Sequence, residues 1–385
     1  MTIKTVLDRR GYLISVVAGA ALVLSGCSGD KREQEGKRHE KVELPEYYPG
    51  GYDEMVRDAE NEGRLLIYSN VAEYNWRNLI EEFHARHPKI RIETLDLGPA
   101  EAFERYYAET SAGKRSADMI VVAAPDAWQR FIASGGVAEY DSPESGHLPD
   151  WSKPSPGVYT LATDPMILIY NKALLKESEY PKSLDNLVSM AKSDPARWTN
   201  KITTYDASSH PFAYSLHWRA VQKMGWDNLE TLAAYTRPES GGSTMLDKVM
   251  GGEYLAAFYT SGITVFPRMN DAGRDRILGW SLPADGVPVM MRGMAVTKTA
   301  KSPNTARVFM DFMLSHDGQV AAGEGGMTPY RPDVDASEVP FLTYSAMADQ
   351  IGGEEKLTII GYEPKMLTDY DGFITRWNKL FTKSQ

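Results

Sequence analysis

Cysteine is almost absent from this sequence, which has one, Cys27, among 385 residues. A single thiol cannot close a disulfide within the chain, and once modified it leaves no thiol for a metal site or a nucleophile. Runs of basic residues are lacking too, because 42 Lys and Arg are scattered among 52 Asp and Glu, and the formal net charge is −10. A chain this acidic offers no broad basic surface, so we expect no nucleic acid partner.

The sequence also lacks the short motifs of common enzyme classes. It contains no Gly-x-Ser-x-Gly, no P-loop and no His-Glu-x-x-His. His84 and His87 lie three apart on a predicted helix beside Glu81 and Glu82, a spacing that suits metal ligands. The apolar face of that helix is formed by the residues at positions 79, 80 and 83, so the histidines are expected to face solvent. We therefore expect no enzyme, no cofactor and no metal site.

A cationic start is followed by a mostly apolar stretch, residues 12–24, that is too short to span a membrane comfortably. This pattern is typical of a secretory signal. Its ending, Leu24–Cys27, resembles the lipobox of bacterial lipoproteins, in which the peptide is cut before the cysteine and the cysteine takes up the lipid. We expect a signal peptide over 1–26 and lipidation of Cys27. The alternative is an ordinary signal peptide or signal anchor with an incidental thiol.

Residues 28–46 are charged and polar, with almost nothing apolar to bury, which predicts a solvated tether. A flexible coil of about twenty residues would hold the folded body on the order of 25 Å from the lipid. A charged helix is the alternative, but it has no apolar stripe with which to dock. Removal of 1–26 takes away three basic residues and one acidic residue and changes the formal net charge from −10 to −12.

Beyond the tether, short apolar runs alternate with segments of helical periodicity. Strands are predicted at 65–68, 90–95 and 119–124, and a helix follows each of them, the last one opened by Pro125. Alternation of this kind predicts a parallel sheet with helices on its faces. About 335 residues exceed what one hydrophobic core usually serves, so two domains are expected.

The second half of the chain repeats these signals without an internal sequence repeat. The predicted segments are extended stretches at 158–161 and 166–170, a strand at 201–205, a helix at 211–224, a loop at 241–244 before a helix at 245–250, a strand at 254–259, extended chain from Ile263 onward, and a helix at 306–314. We place the first crossing between domains near Asn171.

Several segments, in their order and spacing, resemble one family of proteins. They are Leu66–Asn70, Ser116–Val121, Ile167–Lys172, Gly252–Tyr254, Pro283–Pro288, Ala300–Ala306, Phe309–Leu314 and Gly318–Gln319. The family is that of bacterial extracytoplasmic solute-binding proteins of the two-lobed type II kind, in the branch of ferric-iron, phosphosugar and phosphonate receptors. The resemblance spans about 60 to 335.

The resemblance implies an α/β fold in which each lobe is a mostly parallel sheet flanked by helices, with the ligand cleft between the lobes. Lobe 1 would comprise 52–162 plus 263–325, and lobe 2 would comprise 163–262 plus 326–385, after a lipidated tether at 27–51. The implied protein is a monomer in the cell envelope, anchored by lipid and facing the periplasm or cell exterior. It would capture a small solute by hinge closure and deliver it to ABC permease subunits in the inner membrane.

Four loops have the position of a ligand site, beyond the carboxyl ends of strands and at the starts of predicted helices. Their residues are Ser69, Asn70, Ala124, Ser208, Ser209, His210, Ser243 and Thr244. Each helix start exposes N–H groups and adds about half a positive charge, which favours an anion. The alternative is that the serines only cap their helices, as serine at a helix start commonly does.

Arg292 and Arg268 are the candidate countercharges for such an anion, and we favour Arg292. Ferric receptors of this branch typically use two adjacent tyrosines after a Gly-Glu-Tyr turn, because Fe(III) prefers anionic oxygen ligands. The corresponding region here has one, Tyr259. We therefore expect a phosphorylated or phosphonate-type solute, with ferric iron as the first alternative and the ligand module of a signalling system as a further one.

Overall fold

The structure is a computed structural model that describes residues 44–269 and 273–381. Cys27, the predicted signal peptide and most of the predicted tether lie outside the described residues. The lipobox and tether therefore stay predictions.

The described residues form ten strands. They are β1 (Arg64–Ser69), β2 (Arg91–Asp96), β3 (Met119–Val122), β4 (Val158–Asn171), β5 (Ile202–Tyr205), β6 (Thr236–Glu239), β7 (Ala256–Ser261), β8 (Leu278–Ser281), β9 (Val287–Val296) and β10 (Leu357–Ile360).

The strands pair in the order β2-β1-β3-β9-β4-β7-β5-β6, while β10 pairs with β9 and β8 pairs with β4. Three neighbours at each end, β2-β1-β3 and β7-β5-β6, are parallel. The central pairs β3-β9, β9-β4 and β4-β7 are antiparallel. The parallel strands flanked by helices that the alternation predicted are thus present at both ends, joined through antiparallel strands.

The long strand β4 connects two halves of the sheet. Its first part, up to Pro165, pairs with β9, and its second part, from Met166, pairs with β7 and β8. We call β2, β1, β3, β9, β10 and the first part of β4 the first half-sheet, and the remaining strands with the second part of β4 the second half-sheet. One continuous strand, β4, runs from the first half-sheet to the second, where the sequence predicted two separate extended segments.

Fourteen α-helices lie in the described residues. They are α1 (Tyr52–Glu62), α2 (Glu73–Arg86), α3 (Glu101–Ser111), α4 (Pro125–Ala133), α5 (Leu184–Ser193), α6 (Pro195–Trp198), α7 (Pro211–Met224), α8 (Asp227–Leu232), α9 (Gly242–Met250), α10 (Gly262–Met269), α11 (Pro303–Leu314), α12 (His316–Glu324), α13 (Tyr344–Ile351) and α14 (Lys365–Phe381).

The helix bounds follow from local chemistry. Helix α1 ends at Gly63, whose φ of 68° places it in the left-handed region that glycine adopts without strain. Proline opens α4 and α7, where its missing N–H leaves no hydrogen bond unmade.

Helices cover both faces of the first half-sheet. On one face Trp76, Leu79 and Phe83 of α2 join the main core. On the other face Phe103 of α3 and Trp128 of α4 form a second, smaller cluster. Burial on both faces explains why β3 reads as a continuous apolar run.

Two stretches differ from the sequence prediction. The chain from Gly262 is helix α10 and not extended, although Ile263, Thr264 and Val265 are β-branched and Pro267 lies in its last turn. Burial of Ile263, Val265 and Phe266 overrides the weak helix propensity of these residues. Helix α9 begins at Gly242, so Ser243 and Thr244 lie in its first turn and not in a preceding loop.

The lobe boundaries inferred from the family resemblance stay a prediction. The structure shows contacts that bear on them: the Tyr330 hydroxyl donates to the Thr160 carbonyl over 2.5 Å, and Arg331 donates to the Leu314 carbonyl over 2.9 Å. The segment around Tyr330 is therefore packed on residues assigned to lobe 1.

Two buried carboxylates tie the start of the described chain to this part of the molecule. Tyr48 donates to Glu144 over 2.7 Å, and Tyr52 donates to Asp311 over 2.7 Å. Glu144 also pairs with Arg331 at 2.5 Å. The predicted tether therefore meets the folded body at a fixed point.

Candidate ligand-binding site

The carboxyl ends of three parallel strands meet at one edge of the first half-sheet. Ser69 at the end of β1 pairs in register with Asp96 of β2 and Val121 of β3. The next residue, Asn70, accepts a hydrogen bond from the Ala123 N–H through its side-chain oxygen, at 3.0 Å. Because ligands of open α/β sheets bind beyond such strand ends, this edge is one wall of the candidate site.

Arg292 of β9 lies at the same edge and is held from two sides. Its Nη2 donates to Asp164 over 2.7 Å, and its Nη1 donates to the Asn70 carbonyl and side-chain oxygens over 3.2 Å each. Arg292 is 4% exposed and Asp164 is fully buried. The favoured countercharge is thus already neutralised by an internal carboxylate, and its role toward a solute stays a prediction.

Asp164 extends this network to the crossing segments. It accepts hydrogen bonds from the Ser261 hydroxyl at 2.7 Å and from the Ile263 N–H at 3.2 Å. Since Asp164 lies on β4, Ser261 ends β7 and Arg292 lies on β9, one carboxylate joins three strands between the half-sheets. We call Asn70, Asp164, Ser261 and Arg292 the hinge network.

The opposite wall begins at the end of β5. The Ser208 hydroxyl donates to the Asp206 carboxylate over 2.7 Å, and the Ser209 hydroxyl donates to the Asp206 carbonyl over 2.6 Å. Both serines are exposed, but their hydroxyls stabilise their own loop. The structure does not aim these two groups at the other wall.

His210 caps the start of α7. Its Nδ1 accepts from the Ala213 N–H at 3.2 Å, so in the neutral ring Nε2 carries the proton and donates to the Ser240 carbonyl at 2.9 Å. Burial lowers the pKa of His210 below its usual value of 6.5, although the Ser240 carbonyl acts in the opposite direction. His210 therefore joins two loops of this wall as a neutral side chain.

Helix α9 approaches the strand end closely. A Cβ on Gly242 would lie 2.3 Å from the Tyr205 hydroxyl and 3.4 Å from the Thr264 hydroxyl, so only glycine fits there. This close approach places Ser243 and Thr244, both exposed, in the first turn of α9 beside the hinge. The positive end of a nine-residue helix is thereby presented to the site.

Arg268 joins the two walls. Its Nη2 donates to the Ser243 hydroxyl over 3.1 Å, and its guanidinium lies 5.8 Å from the ring centroid of Tyr74, at the start of α2. Its other terminal nitrogen is 3.9 Å from Asp247. We call Tyr74, Ser243 and Arg268 the Arg268 bridge, because it runs from the first half-sheet side to the second.

Tyr74 and Asp96 bring further polar atoms to this bridge. Burial raises the pKa of the Tyr74 hydroxyl, an effect that Arg268 and Arg292 oppose. Burial also raises the pKa of Asp96, and Arg292 again acts in the opposite direction. Arg292 therefore influences both groups, of which Asp96 is exposed at the end of β2.

Three of the predicted site residues are buried in the structure. The Ser69 hydroxyl accepts from the Trp76 indole at 3.3 Å, and Ala124 precedes α4 with no exposed surface. Tyr259 is 1% exposed, and its hydroxyl points at the Met224 sulfur at 3.8 Å. Their role in binding stays a prediction, but Ser69 does not cap α2, which begins after Ala72.

The structure thus brings together Asn70, Arg292, Ser243 and the less favoured Arg268. It adds polar residues that the sequence analysis did not single out: Tyr74, Asp96, Asp164, Tyr205, Ser261 and Thr264. Two of them carried a readable signal. Asp164 is a charged residue inside a long apolar run, and Asp96 follows a predicted strand in the same way as Asn70.

Two further searches concern the residues that the structure describes. Within 44–269 and 273–381, no group of three or more His, Cys, Asp or Glu is placed to hold a metal ion. No helix in the same ranges is both long and apolar enough to cross a membrane.

A sequence profile described as "Bacterial extracellular solute-binding protein" matches residues 78–348. The match covers most of the chain. A search of proteins with curated functions found no match.

Solved structures of ABC-transporter and metal-binding proteins share the fold. The substrate binding protein of an ABC transporter from Agrobacterium tumefaciens has a TM-score of 0.73 at 23% identity, covering 83% of this chain and 94% of that one. Iron-bound HitA from Pseudomonas aeruginosa has a TM-score of 0.60 at 18% identity, covering 79% and 97%. AfuA from Actinobacillus pleuropneumoniae, with fructose-6-phosphate bound, has a TM-score of 0.60 at 16% identity, covering 83% and 99%.

Proposed function

Because the chain belongs to the bacterial extracellular solute-binding proteins, we propose that it is the binding component of an ABC importer and captures a small organic anion for delivery to a membrane permease. Family membership and the fold of the similar structures confirm the predicted two-lobed type II binding-protein fold. The family consists of solute-binding proteins, which agrees with the expectation that the chain is not an enzyme.

The observation that carries the choice of an anion is the Arg268 bridge. A guanidinium, a serine hydroxyl and the start of α9 converge at one point of the cleft, 5.8 Å from an aromatic ring of the opposite wall. Cation, hydroxyl and helix N–H groups are the donors that a phosphate, phosphonate or carboxylate accepts. Asp247, at 3.9 Å and exposed, leaves most of the Arg268 charge available to a solute.

Binding would proceed by hinge closure. The hinge network lies where the half-sheets join, and the Arg268 bridge lies between their walls. An anion that contacts Arg268 and Ser243 on one wall and Asn70 on the other would draw the walls together, since closure adds contacts to the solute. In this arrangement Arg292 acts indirectly, because its hydrogen bonds hold the Asn70 side chain in place.

A phosphorylated or phosphonate-type solute suits these donors best. AfuA, which shares the fold, is a structure with fructose-6-phosphate bound, and HitA is a structure with iron bound. In this chain the one tyrosine of the corresponding region, Tyr259, is buried against Met224. Ferric iron, which prefers anionic oxygen ligands, is therefore the alternative outcome of the test below.

We propose that the protein works as a monomer in the cell envelope, anchored by lipid on Cys27 and facing the periplasm or cell exterior. The family is extracellular, which supports export from the cytoplasm. The lipobox-like Leu24–Cys27 and the charged stretch 28–46 support the anchor and its tether.

The test is a thermal-shift screen of the full-length protein in detergent against phosphosugars, phosphonates, small carboxylates, polyamines and Fe(III) citrate. A ligand at a hundred times its dissociation constant stabilises the folded state by about 2.7 kcal/mol. We expect a phosphorylated or phosphonate compound to raise the melting temperature. A shift with iron alone, together with a colour change, would replace the proposal by the ferric alternative.

A further inference from the structure

The start of α9 presents backbone N–H groups that no side chain caps. Gly241 precedes the helix and makes no side-chain cap hydrogen bond. The N–H of Met245 donates to the Gly241 carbonyl over 3.1 Å, but the three N–H groups before it, at 242–244, meet no acceptor among the described residues. Helix α7 on the same wall differs, because His210 accepts from its Ala213 N–H at 3.2 Å. The wall therefore keeps free N–H donors at α9.

A buried hydroxyl lies against this helix start. Tyr205 ends β5, and its side chain is 4% exposed. A Cβ added to Gly242, the first residue of α9, would lie 2.3 Å from the Tyr205 hydroxyl oxygen, so the hydroxyl is in contact with that residue. Within 44–269 and 273–381, no residue accepts a hydrogen bond from this hydroxyl.

The Tyr205 hydroxyl is a neutral donor that its surroundings leave unused. Burial raises the pKa of Tyr205 above its usual value of 10, and Ser261 acts in the opposite direction. Ser261 commits its own hydroxyl to Asp164, to which it donates over 2.7 Å. A buried hydroxyl without a partner is unfavourable, so its place beside free N–H groups indicates a bound group as its acceptor.

Helix α10 adds two more donors beside the same point. The Thr264 hydroxyl would lie 3.4 Å from the Cβ added to Gly242, and it meets the Ser261 hydroxyl only at 3.5 Å. Arg268 follows Thr264 by one turn and therefore lies on the same side of α10. Its guanidinium donates to the Ser243 hydroxyl over 3.1 Å. Donors from β5, α9 and α10 thus surround the first turn of α9.

The number and placement of these donors distinguish two kinds of anion. A carboxylate offers two oxygens in one plane, whereas a phosphate or phosphonate group offers three acceptor oxygens around a tetrahedral atom. Donors on three separate elements approach from different directions. A planar carboxylate would leave one of them unpaired inside the closed cleft, which opposes binding.

We propose that Tyr205 is a specificity-determining residue, whose hydroxyl joins the N–H groups of α9, Thr264 and Arg268 in binding the oxygens of a tetrahedral oxyanion. This inference rests on the proposed function and narrows it, because the site then selects phosphate and phosphonate groups over carboxylates. The Tyr205 hydroxyl contributes a hydrogen bond to a charged acceptor, which is among the stronger kinds.

The test is calorimetric titration of the full-length protein in detergent with inorganic phosphate, methylphosphonate and acetate. Methylphosphonate and acetate each carry one methyl group on an anionic head, so they differ chiefly in the geometry of that head. We expect the wild type to bind methylphosphonate at least tenfold more tightly than acetate, since the tetrahedral head pairs the donors that acetate leaves unpaired.

Tyr205→Phe removes only the hydroxyl. It should weaken binding of phosphate and methylphosphonate by about 10- to 100-fold and leave acetate unchanged within about twofold. Thr264→Val, a second variant of similar shape, should weaken both tetrahedral anions severalfold. The matched control is Tyr107→Phe, because Tyr107 is exposed on α3 and its hydroxyl meets only Ser134, at 3.4 Å.

Melting temperatures without ligand separate a role in binding from a role in folding. The Tyr205 hydroxyl has no acceptor among the described residues, so Tyr205→Phe should melt at or above the wild-type temperature. A lower melting temperature together with unchanged affinity would make the hydroxyl a structural group and overturn the inference.

The remaining outcomes are equally decisive. Acetate binding as tight as that of methylphosphonate in the wild type, or equal phosphate affinity in Tyr205→Phe and Tyr107→Phe, would overturn the inference and leave anion capture standing. Failure of phosphate and methylphosphonate to bind would also overturn it. If, in addition, no anion of the thermal-shift screen binds, the proposed function falls as well.

Discussion

Separating the ion pair of Arg292 and Asp164 should destabilise the protein more than any single surface change. The pair connects β9 to β4 at 2.7 Å, and the two side chains are 5% and 0% exposed. Arg292→Met leaves Asp164 charged and buried with only two remaining donors, Ser261 and Ile263. Asp164→Leu leaves the guanidinium buried with only Asn70.

The magnitude follows from this burial. Removing one partner of a buried ion pair typically destabilises a protein by about 3–5 kcal/mol, because an uncompensated charge remains. Replacing both partners by apolar residues leaves no charge. We therefore expect each single variant to lose about 3–5 kcal/mol of unfolding free energy. The loss in the double variant should be smaller than the sum of the two single losses, by about 2 kcal/mol or more.

Urea unfolding followed by tryptophan fluorescence measures these free energies for the wild type, both single variants and the double variant. The matched control is the exposed pair Arg376 and Glu230, at 2.6 Å with exposures of 49% and 44%. Its separation should change stability by about 1 kcal/mol or less. Single variants at the hinge that lose less than about 1 kcal/mol, or losses that simply add in the double variant, would refute the reasoning.

Three further predictions concern the site, the pH dependence and the anchor. Arg268→Gln should weaken binding of the stabilising anion by about 10- to 100-fold, since a hydrogen bond to a charged group contributes about 1.5–3 kcal/mol. Arg376→Gln is the control, and equal affinity of the two variants for the anion, measured by calorimetry, would contradict the site. Burial raises the pKa of Asp311 from 3.8 to about 6, so the stability that its protonated form contributes is present below pH 3.8 and lost as pH rises through 6. Urea unfolding should show this fall in unfolding free energy, of order 3 kcal/mol, in the wild type but not in Asp311→Asn. Parallel pH profiles of the two proteins would count against it. Cys27→Ala should move the protein from the membrane fraction to the soluble fraction of cells, and unchanged membrane association would argue against lipidation.

Much of the fold could be predicted from the sequence because its central strands are buried on both faces. The apolar runs that form β1 and β3 stand between turn-forming residues, and Pro125 opens the helix after β3, so their type and order are clear. Helix α10 could not be predicted in this way. Its β-branched residues and Pro267 favour extended chain locally, and only their packing at the hinge makes the segment helical.

The candidate site was predictable to a smaller degree. The rule that ligands bind beyond strand ends led to Asn70 and Ser243, which border the cleft, but also to Ser208 and Ser209, whose hydroxyls bond within their own loop. Which hydroxyls are free depends on neighbours that are close only in space.

The same limit applies to the arginines. The sequence offers Arg292 and Arg268 as candidate countercharges, and the sequence analysis favours Arg292. The structure pairs Arg292 with Asp164, which lies 128 positions earlier in the chain, and leaves Arg268 between the two walls. Asp164 was not singled out, because it falls between the two predicted extended segments, which the structure joins into the buried strand β4.

Hinge closure on a small anion is the central claim, and solution X-ray scattering tests it most directly. The measurement compares the full-length protein in detergent without ligand and with a saturating concentration of the anion that most raises its melting temperature. Closure of the two walls predicts a smaller radius of gyration with the anion bound, and no such decrease in Arg268→Gln at the same anion concentration. Identical scattering with and without bound anion in the wild type would contradict the account.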